Sequence, residues 1–515
     1  MKRIYTIFSL IILLFMGTGC SDWLNIKPDS EIVLDDYWQN ESQVNQVLAA
    51  CYKSMTEYGA MSRMLVWGEL RSDNATYGPI IPIDMYKILN FDITPSNSYC
   101  EWGSMYTTIN YCNTLLHYAP GVLDLDANFT ESKLLSVEAE AYAIRALAYF
   151  YLVRTFGEVP WIDQPSIDDV QDYNIPKSDE SLILNKLVEN LNTAIRYGRD
   201  EFDTNDNTKG RFTKNGMRAL LADIYLWQEN YSNCVNLCDQ IIADPSLELV
   251  EGKDVLPTVF AKGNSSESIF ELQFDRNIQP NDVVYDFYGG YGQHYGFESF
   301  PAVLVTGDYS PFNYQVGTGY ESEKDLREKD FLRQDVGGDA YYVFKYAGYK
   351  RTEDINENST YYWSNSTPNW IVYRLSDIIL MKAEALVQLE TNNSEVIRLV
   401  NTTYLRSNIR DADSLLLNDY SSKYELEKLV LRERQRELMF EGKRWFDLMR
   451  LARRADPPSP SPLLSYVTKK FAGNSSAEYS KMSVMDALYL PIHTKELETN
   501  SALVQNTFYE TLGEN

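Results

Sequence analysis

The chain has 515 residues and a formal net charge of −26, with its aromatic content raised by 38 Tyr and 9 Trp. Such an acidic balance disfavours nucleic acid and anionic membrane surfaces as partners, and it works against strongly acidic polysaccharides unless a local basic patch offsets it. The length allows a large core or more than one lobe without disulfide staples.

At the N-terminus, Lys2 and Arg3 precede the apolar run Ile4 to Met16, and Gly17-Thr18-Gly19 leads into Cys20. A basic start, a short apolar stretch and small residues before a cut form a secretory signal, too short for a stable membrane anchor. The Cys directly after them resembles the lipobox of bacterial lipoproteins, although Gly17 stands where that box usually carries Leu. The resemblance implies a signal peptide over 1–19 and lipid attachment at Cys20, each buried CH₂ contributing about 0.8 kcal/mol to anchoring. The remaining cysteines, Cys51, Cys100, Cys112, Cys234 and Cys238, are odd in number and are expected as buried free thiols. His117, His294 and His493 are scattered at no metal-ligand spacing, so neither metal nor cofactor is expected.

Helical periodicity dominates the first half. Glu41 to Tyr58 reads as a helix capped by Asn40 or Ser42, and Trp102 to Leu116 as a second. Glu131 to Phe156 is a long helix mixing Ala139, Ala143 and Ala146 with Tyr142, Tyr149 and Phe150, stopped by Gly157 and then Pro160. Asp179 to Tyr197, Lys214 to Gln228 and Tyr231 to Ala243 follow, the last closed by Asp244-Pro245. Helical pairs with small residues, a short turn and a terminal Pro match the tetratricopeptide pattern in form, and Tyr373 to Leu389 with Ser394 to Tyr404 looks like another.

Between Leu247 and Asn369 this periodicity fades. Ser268 to Phe274 alternates as a strand would, and Tyr285 to Phe300 interleaves aromatics with glycines. Loops of that composition on a rigid scaffold are where binding tends to sit. Pro457, Pro458, Pro460 and Pro462 mark a surface loop.

Leu431 to Arg450 mixes buried-type aromatics with charge. Read as one helix, it places Arg434, Glu437, Glu441 and Arg444 on one face, where buried charges must pair. Gly442 in mid-helix costs about 1 kcal/mol, which predicts a close neighbour at that point.

This segment resembles the C-terminal signature of the SusD/RagB family of cell-surface nutrient-binding lipoproteins. Trp67 to Asn74, Trp102 to Asn113, Glu140 to Pro160, Thr213 to Trp227, Tyr373 to Ala385 and Leu490 to Asn506 are each similar to family segments in order, with Thr507 a departure at the tail. The resemblance implies a mainly α fold: a tetratricopeptide-like helical-hairpin solenoid with an irregular, loop-rich region containing short β-strands. Domain bounds are expected at 20–515, with the scaffold at about 37–246 and 371–453 and the ligand-binding loops at about 247–370. It also implies capture of oligosaccharide over a partner SusC-like TonB-dependent transporter, at the outer membrane, with no bond broken. Peptide or glycopeptide capture is the alternative on the same fold. A surface glycoside hydrolase is the enzyme-class competitor, needing two carboxylates across an aromatic cleft.

Family sugar sites draw on loops in the first third and in the irregular middle. Here those regions supply Asp73, Asn74, Tyr77, Tyr86 and Trp102, then Tyr285, Tyr288, Tyr291, His294 and Tyr295. Trp102 serves equally well as core, and Asp73 or Asn74 as a helix cap. Tyr361, Tyr362, Trp363 and Trp370 form a reserve aromatic cluster, while Arg434, Glu437, Glu441 and Arg444 are expected to brace the fold.

Overall fold

A computed structural model describes residues 37–512, except 79, 168–170, 289–296, 300–311, 313, 317–318, 322–324, 335–340, 353–358, 364–366, 409–413 and 472–474. The signal segment and Cys20 lie outside the described residues. Among the described residues no helix is long and apolar enough to cross a membrane.

Helix α1 (Glu41–Thr56) begins where Asn40 accepts the Gln43 amide at 3.2 Å, satisfying one of the orphan donors of the first turn. It stops before the predicted Tyr58, which instead opens α2 (Tyr58–Leu65), followed by a π-helical turn, Val66–Leu70. Then come α3 (Gly103–Tyr118) and α4 (Glu131–Phe156), the 26-residue helix at the centre of the scaffold. Ala139, Ala141, Ala143, Ala146 and Ala148 of α4 are all buried, and their small side chains let neighbouring helices approach from several sides. Gly157, at φ +75°, closes the helix by donating its amide to Val153 at 2.8 Å.

The solenoid continues through α5 (Glu180–Tyr197), α6 (Lys214–Trp227) and α7 (Tyr231–Ile242), each packed on its predecessor. Helix α7 then packs on α8 (Leu375–Leu389), which packs on α9 (Asn393–Ser407) and α10 (Lys423–Leu438). The stacking therefore passes directly over the region 247–370. Strand β1 (Ser268–Leu272) pairs antiparallel with β2 (Trp370–Arg374) and closes the neck of that insertion. Tyr373 consequently belongs to a fully buried strand rather than to the helix predicted from it.

Three strands of the insertion join Ala75–Tyr77 from the first third of the chain, and Ala75–Tyr77, Phe297–Ser299, Tyr341–Val343 and Leu332–Gln334 form one antiparallel four-stranded sheet in that spatial order. Gly348–Thr352 and Ser359–Trp363 form a separate hairpin. The five cysteines after Cys20 are buried free thiols.

The one-helix reading of Leu431 to Arg450 is corrected. Helix α10 ends at Leu438, and α11 (Arg444–Arg453) starts after a turn in which Phe440 (φ +64°) and Gly442 (φ +69°) both take left-handed backbone. The reason is contact with a second turn. A Cβ on Gly68 would sit 1.8 Å from the Gly442 carbonyl oxygen, and one on Gly442 would meet Met64 O at 3.1 Å. The two backbones touch, which only glycines permit.

Candidate functional site

The site is built outward from that turn. Glu69, fully buried, accepts the Phe440 amide at 3.0 Å, the Gly442 amide at 3.2 Å and the Asn74 side chain at 2.8 Å. Burial pushes its carboxyl up to about 7, against the pull of the Asn74 and Phe440 hydrogen bonds and of the Lys345 and Arg444 charges. The Phe440 carbonyl, turned by the same left-handed residue, accepts the Tyr288 hydroxyl at 2.9 Å. Tyr288 stacks on Tyr346, and Tyr346 on Trp370, so the short helix Asp282–Tyr288 is fixed to the floor of the molecule.

That anchoring displays the other face of the helix. Tyr285 is 54 % exposed, and its neighbour Asp286 accepts the Tyr58 hydroxyl at 2.9 Å. Tyr58 is 46 % exposed and packs edge-on against Phe287. Burial, then the Asp286 hydrogen bond, push the Tyr58 hydroxyl far above the usual phenol range, so it stays a neutral donor. Tyr99, half-buried beside Asp84 and Asp286, is pushed up to about 12, chiefly by burial and against Arg63. Arg63 ties the rim together by donating to Ser98 O at 2.7 Å and Gly59 O at 2.9 Å. Asp84 accepts the Ser98 hydroxyl at 2.6 Å, which seats the short helix Ile83–Leu89 and its exposed Tyr86 beside the turn Ser98–Cys100. The result is a rim of exposed tyrosine faces and fixed carboxylate and hydroxyl groups on rigid supports. Rings of this kind stack on the apolar face of a pyranose while the oxygens meet its hydroxyls.

Several expected site residues lie elsewhere. Asp73 is not in the rim: both its oxygens are held by Arg444, at 2.7 and 2.9 Å, and Gln435 donates to it at 3.1 Å. Asn74 is fully buried between Glu69 and Gln435. Trp102, 3 % exposed, packs against Phe156, and Tyr288 is buried as the anchor described above. Neither Asp73 nor Asn74 caps a helix. Tyr77 lies on the strand Ala75–Tyr77, paired with Phe297. Tyr291, His294 and Tyr295 lie outside the described residues. In the reserve cluster, Trp370 is core, and Tyr361 donates to Asp330 at 2.7 Å. Tyr362 and Trp363 are exposed on the hairpin, where Tyr362 sits directly across from Tyr349.

Tyr58, Tyr99, Asp84 and Asp286 were missed by the sequence reading. The signal available was the Glu57-Tyr58-Gly59 junction at the end of a predicted helix, and the acidic residue beside Tyr285.

The signature charges bind partners on other elements, not one another. Glu437 meets Arg374 at 2.6 Å and Arg327 at 2.9 Å, and also Arg406. Glu441 pairs with Arg374 at 2.7 Å and Lys345 at 2.6 Å. Arg434 spans Asp377 of α8 at 3.0 Å and Asp447 of α11 at 2.9 Å. Against the burial of its carboxyl, Arg406, Arg374 and Arg327 hold Glu437 well below the usual range. Among the described residues, no group of three or more His, Cys, Asp or Glu is placed to hold a metal ion.

Comparison with known proteins agrees with this architecture. Residues 263–509 match the model of the SusD family, and residues 22–226 match a model described as starch-binding, associating with outer membrane. SusD-like protein P38 of Formosa agariphila is 26 % identical over 495 residues, covering 89 % of this chain and 93 % of that protein. A SusD superfamily protein of Bacteroides vulgatus superposes with a TM-score of 0.71 at 21 % identity, over 92 % of this chain and 99 % of that one. A solved laminarin-binding SusD-like protein superposes with a TM-score of 0.67 at 21 % identity, over 91 % of this chain and all of the other. With family models matching both halves and the helical solenoid on the page, the chain belongs to the SusD/RagB family.

Proposed function

We propose that the protein captures oligosaccharides at the outer face of the outer membrane, tethered by lipid on Cys20, and passes them to a SusC-like TonB-dependent transporter. One observation carries this reading: Tyr58, Tyr86 and Tyr285 are exposed on supports that converge through Arg63, Ser98 and Asp286. Exposed aromatics held this firmly add nothing to the core, whereas they match the ring face of a sugar. The laminarin-binding neighbour and the family description of starch binding at the outer membrane support the ligand class and the location. Capture without bond cleavage fits the carboxylates of the rim, since Asp286 is held by the Tyr58 hydroxyl and Asp84 by Ser98.

Calorimetry of the mature protein against a panel of neutral glycans and a panel of peptides tests the reading. Saturable binding of a glycan with no reducing ends released is expected. Binding confined to peptides, or steady release of reducing ends, would overturn it. For the transporter, co-purification from membranes with a TonB-dependent barrel is the expected outcome.

A further inference from the structure

A groove of about 600 Å³ lies on the solenoid between α1, α4 and the segment 199–211 that joins α5 to α6, and none of its lining residues belongs to the tyrosine rim. Asn45, Leu48 and Tyr52 follow one another along α1 at intervals of three and four, so one helical face forms a wall. Glu41 and Tyr52 both line it, which makes the groove about 16 Å long. Ser136 and Glu140, four residues apart on α4, stand on the opposite wall.

The walls are fixed in place. Glu140, buried, accepts Arg211 Nε at 2.9 Å and Nη2 at 2.7 Å, and also the Tyr52 hydroxyl at 2.7 Å. The Tyr52 oxygen in turn accepts the Phe212 amide at 2.9 Å, and the Arg211 guanidinium lies 4.0 Å over the Phe202 ring. Further along, Lys133 joins Glu41 at 2.8 Å to the Asn128 carbonyl at 2.9 Å.

Other polar groups of the lining are left open. Among the described residues, the Asn45 side chain makes no hydrogen bond. Arg199 gives only its Nε, to Ser136 at 3.1 Å, which leaves its terminal nitrogens unbonded. Asn207 donates to Asp203 at 2.7 Å and keeps its side-chain oxygen unused. Charge is balanced, with Glu41, Glu140 and Asp203 set against Lys133, Arg199 and Arg211. Such a lining exerts no net pull on an anion or a cation. It offers open donors and open acceptors together, over an apolar floor of Leu48, Val137 and Phe202. A hydroxyl group both donates and accepts, so a ligand rich in hydroxyls satisfies both kinds at once.

We propose that this groove is a second binding site for a neutral oligosaccharide. Arg199, Asn45 and Asn207 take the sugar hydroxyls, and the Phe202 and Tyr52 edges meet the C–H surface of the rings. The proposal rests on the glycan-capture reading, but it concerns residues separate from the Tyr58, Tyr86 and Tyr285 rim. It gives the chain two grips on a glycan, one on the irregular insertion side and one on the helical scaffold.

The test combines calorimetry with hydrogen–deuterium exchange of the mature protein, using laminarihexaose, maltohexaose and mannohexaose as probes. The expected result is that at least one hexasaccharide slows exchange in residues 41–52, 133–140 and 199–211. In N45A/R199A that protection is lost and the groove's affinity falls by about fivefold or more, the loss of one or two hydrogen bonds. Ala49→Trp fills the groove from its exposed edge without removing a hydrogen bond, so it gives the same loss even if N45A/R199A is unstable. Tyr285→Ala leaves the groove's protection intact. Hexasaccharide binding that protects the rim alone sinks the groove and leaves the capture reading standing. Groove protection that survives in both A49W and N45A/R199A would overturn the proposal, and so would a groove protected by peptides and by no hexasaccharide. Protection of the groove with the rim unchanged keeps this site and removes the rim. If none of the three probes binds anywhere, the groove and the capture reading fall together.

Discussion

The charges beneath the α10–α11 turn and the aromatics of the tyrosine rim do opposite work. Under the turn, Arg374, Glu437 and Glu441 are fully buried, and each is paired at salt-bridge distance. At the rim, Tyr58 and Tyr285 are half exposed, and Asp286 spends itself on one hydroxyl. Charge removed from water must find a partner or it destabilises the fold, so the buried set is a brace. Aromatic area left in water gains only when a ligand covers it, so the rim is a surface in waiting. The two are joined through Phe440, whose amide serves Glu69 and whose carbonyl holds Tyr288 under the rim.

The largest effect should come from breaking the brace. Arg374→Ala leaves Glu267, Glu437 and Glu441 without a shared guanidinium, and is expected to cost about 3–5 kcal/mol in urea unfolding. A loss under about 1 kcal/mol, the size of an exposed pair, would show that the lattice contributes little to stability. Gly68→Ala should come next. Its Cβ would meet the Gly442 carbonyl at 1.8 Å, so the turn must move, at a cost of about 1–3 kcal/mol or more. Because the same turn anchors Tyr288, glycan affinity should fall as well; wild-type affinity in a destabilised G68A would uncouple rim from brace.

Acid should release the brace. Against burial, Lys443 and Arg434 hold Asp377 at about 2. A folded-state pKa depressed below the ordinary value of about 3.9 gives stability that is present above pH 4 and lost as pH falls toward 2. Glu437 and Glu441 are depressed in the same direction. Thermal melting should therefore show Tm dropping over that window, and a flat profile would contradict the pairing. The smallest structural effect belongs to Tyr285→Ala: glycan affinity down by about 1 kcal/mol, read by calorimetry, with Tm unchanged. A large fall in Tm would mean that Tyr285 is packed rather than presented.

The helices were legible in sequence because their faces are buried with regular spacing, and α4 matches its predicted bounds from Glu131 to Phe156. The turn at 439–443 was not. Its apolar and charged residues continue a helical pattern, and only contact with Gly68, more than 370 residues away, dictates the break. Asp73 and Asn74 look like surface residues for the same reason, since their partners Arg444 and Gln435 are remote in sequence. Tyr285 and Tyr86 could be found as aromatics in irregular segments. Tyr58 could not, because helical spacing assigned it to α1.

The most direct test of glycan capture at the tyrosine rim is hydrogen–deuterium exchange with and without a bound neutral glycan. Slowed exchange at residues 58–65, 83–100 and 282–288, with little change along α10, is the predicted result. Unchanged exchange in those three segments under saturating glycan, or protection confined to other parts of the chain, would contradict it.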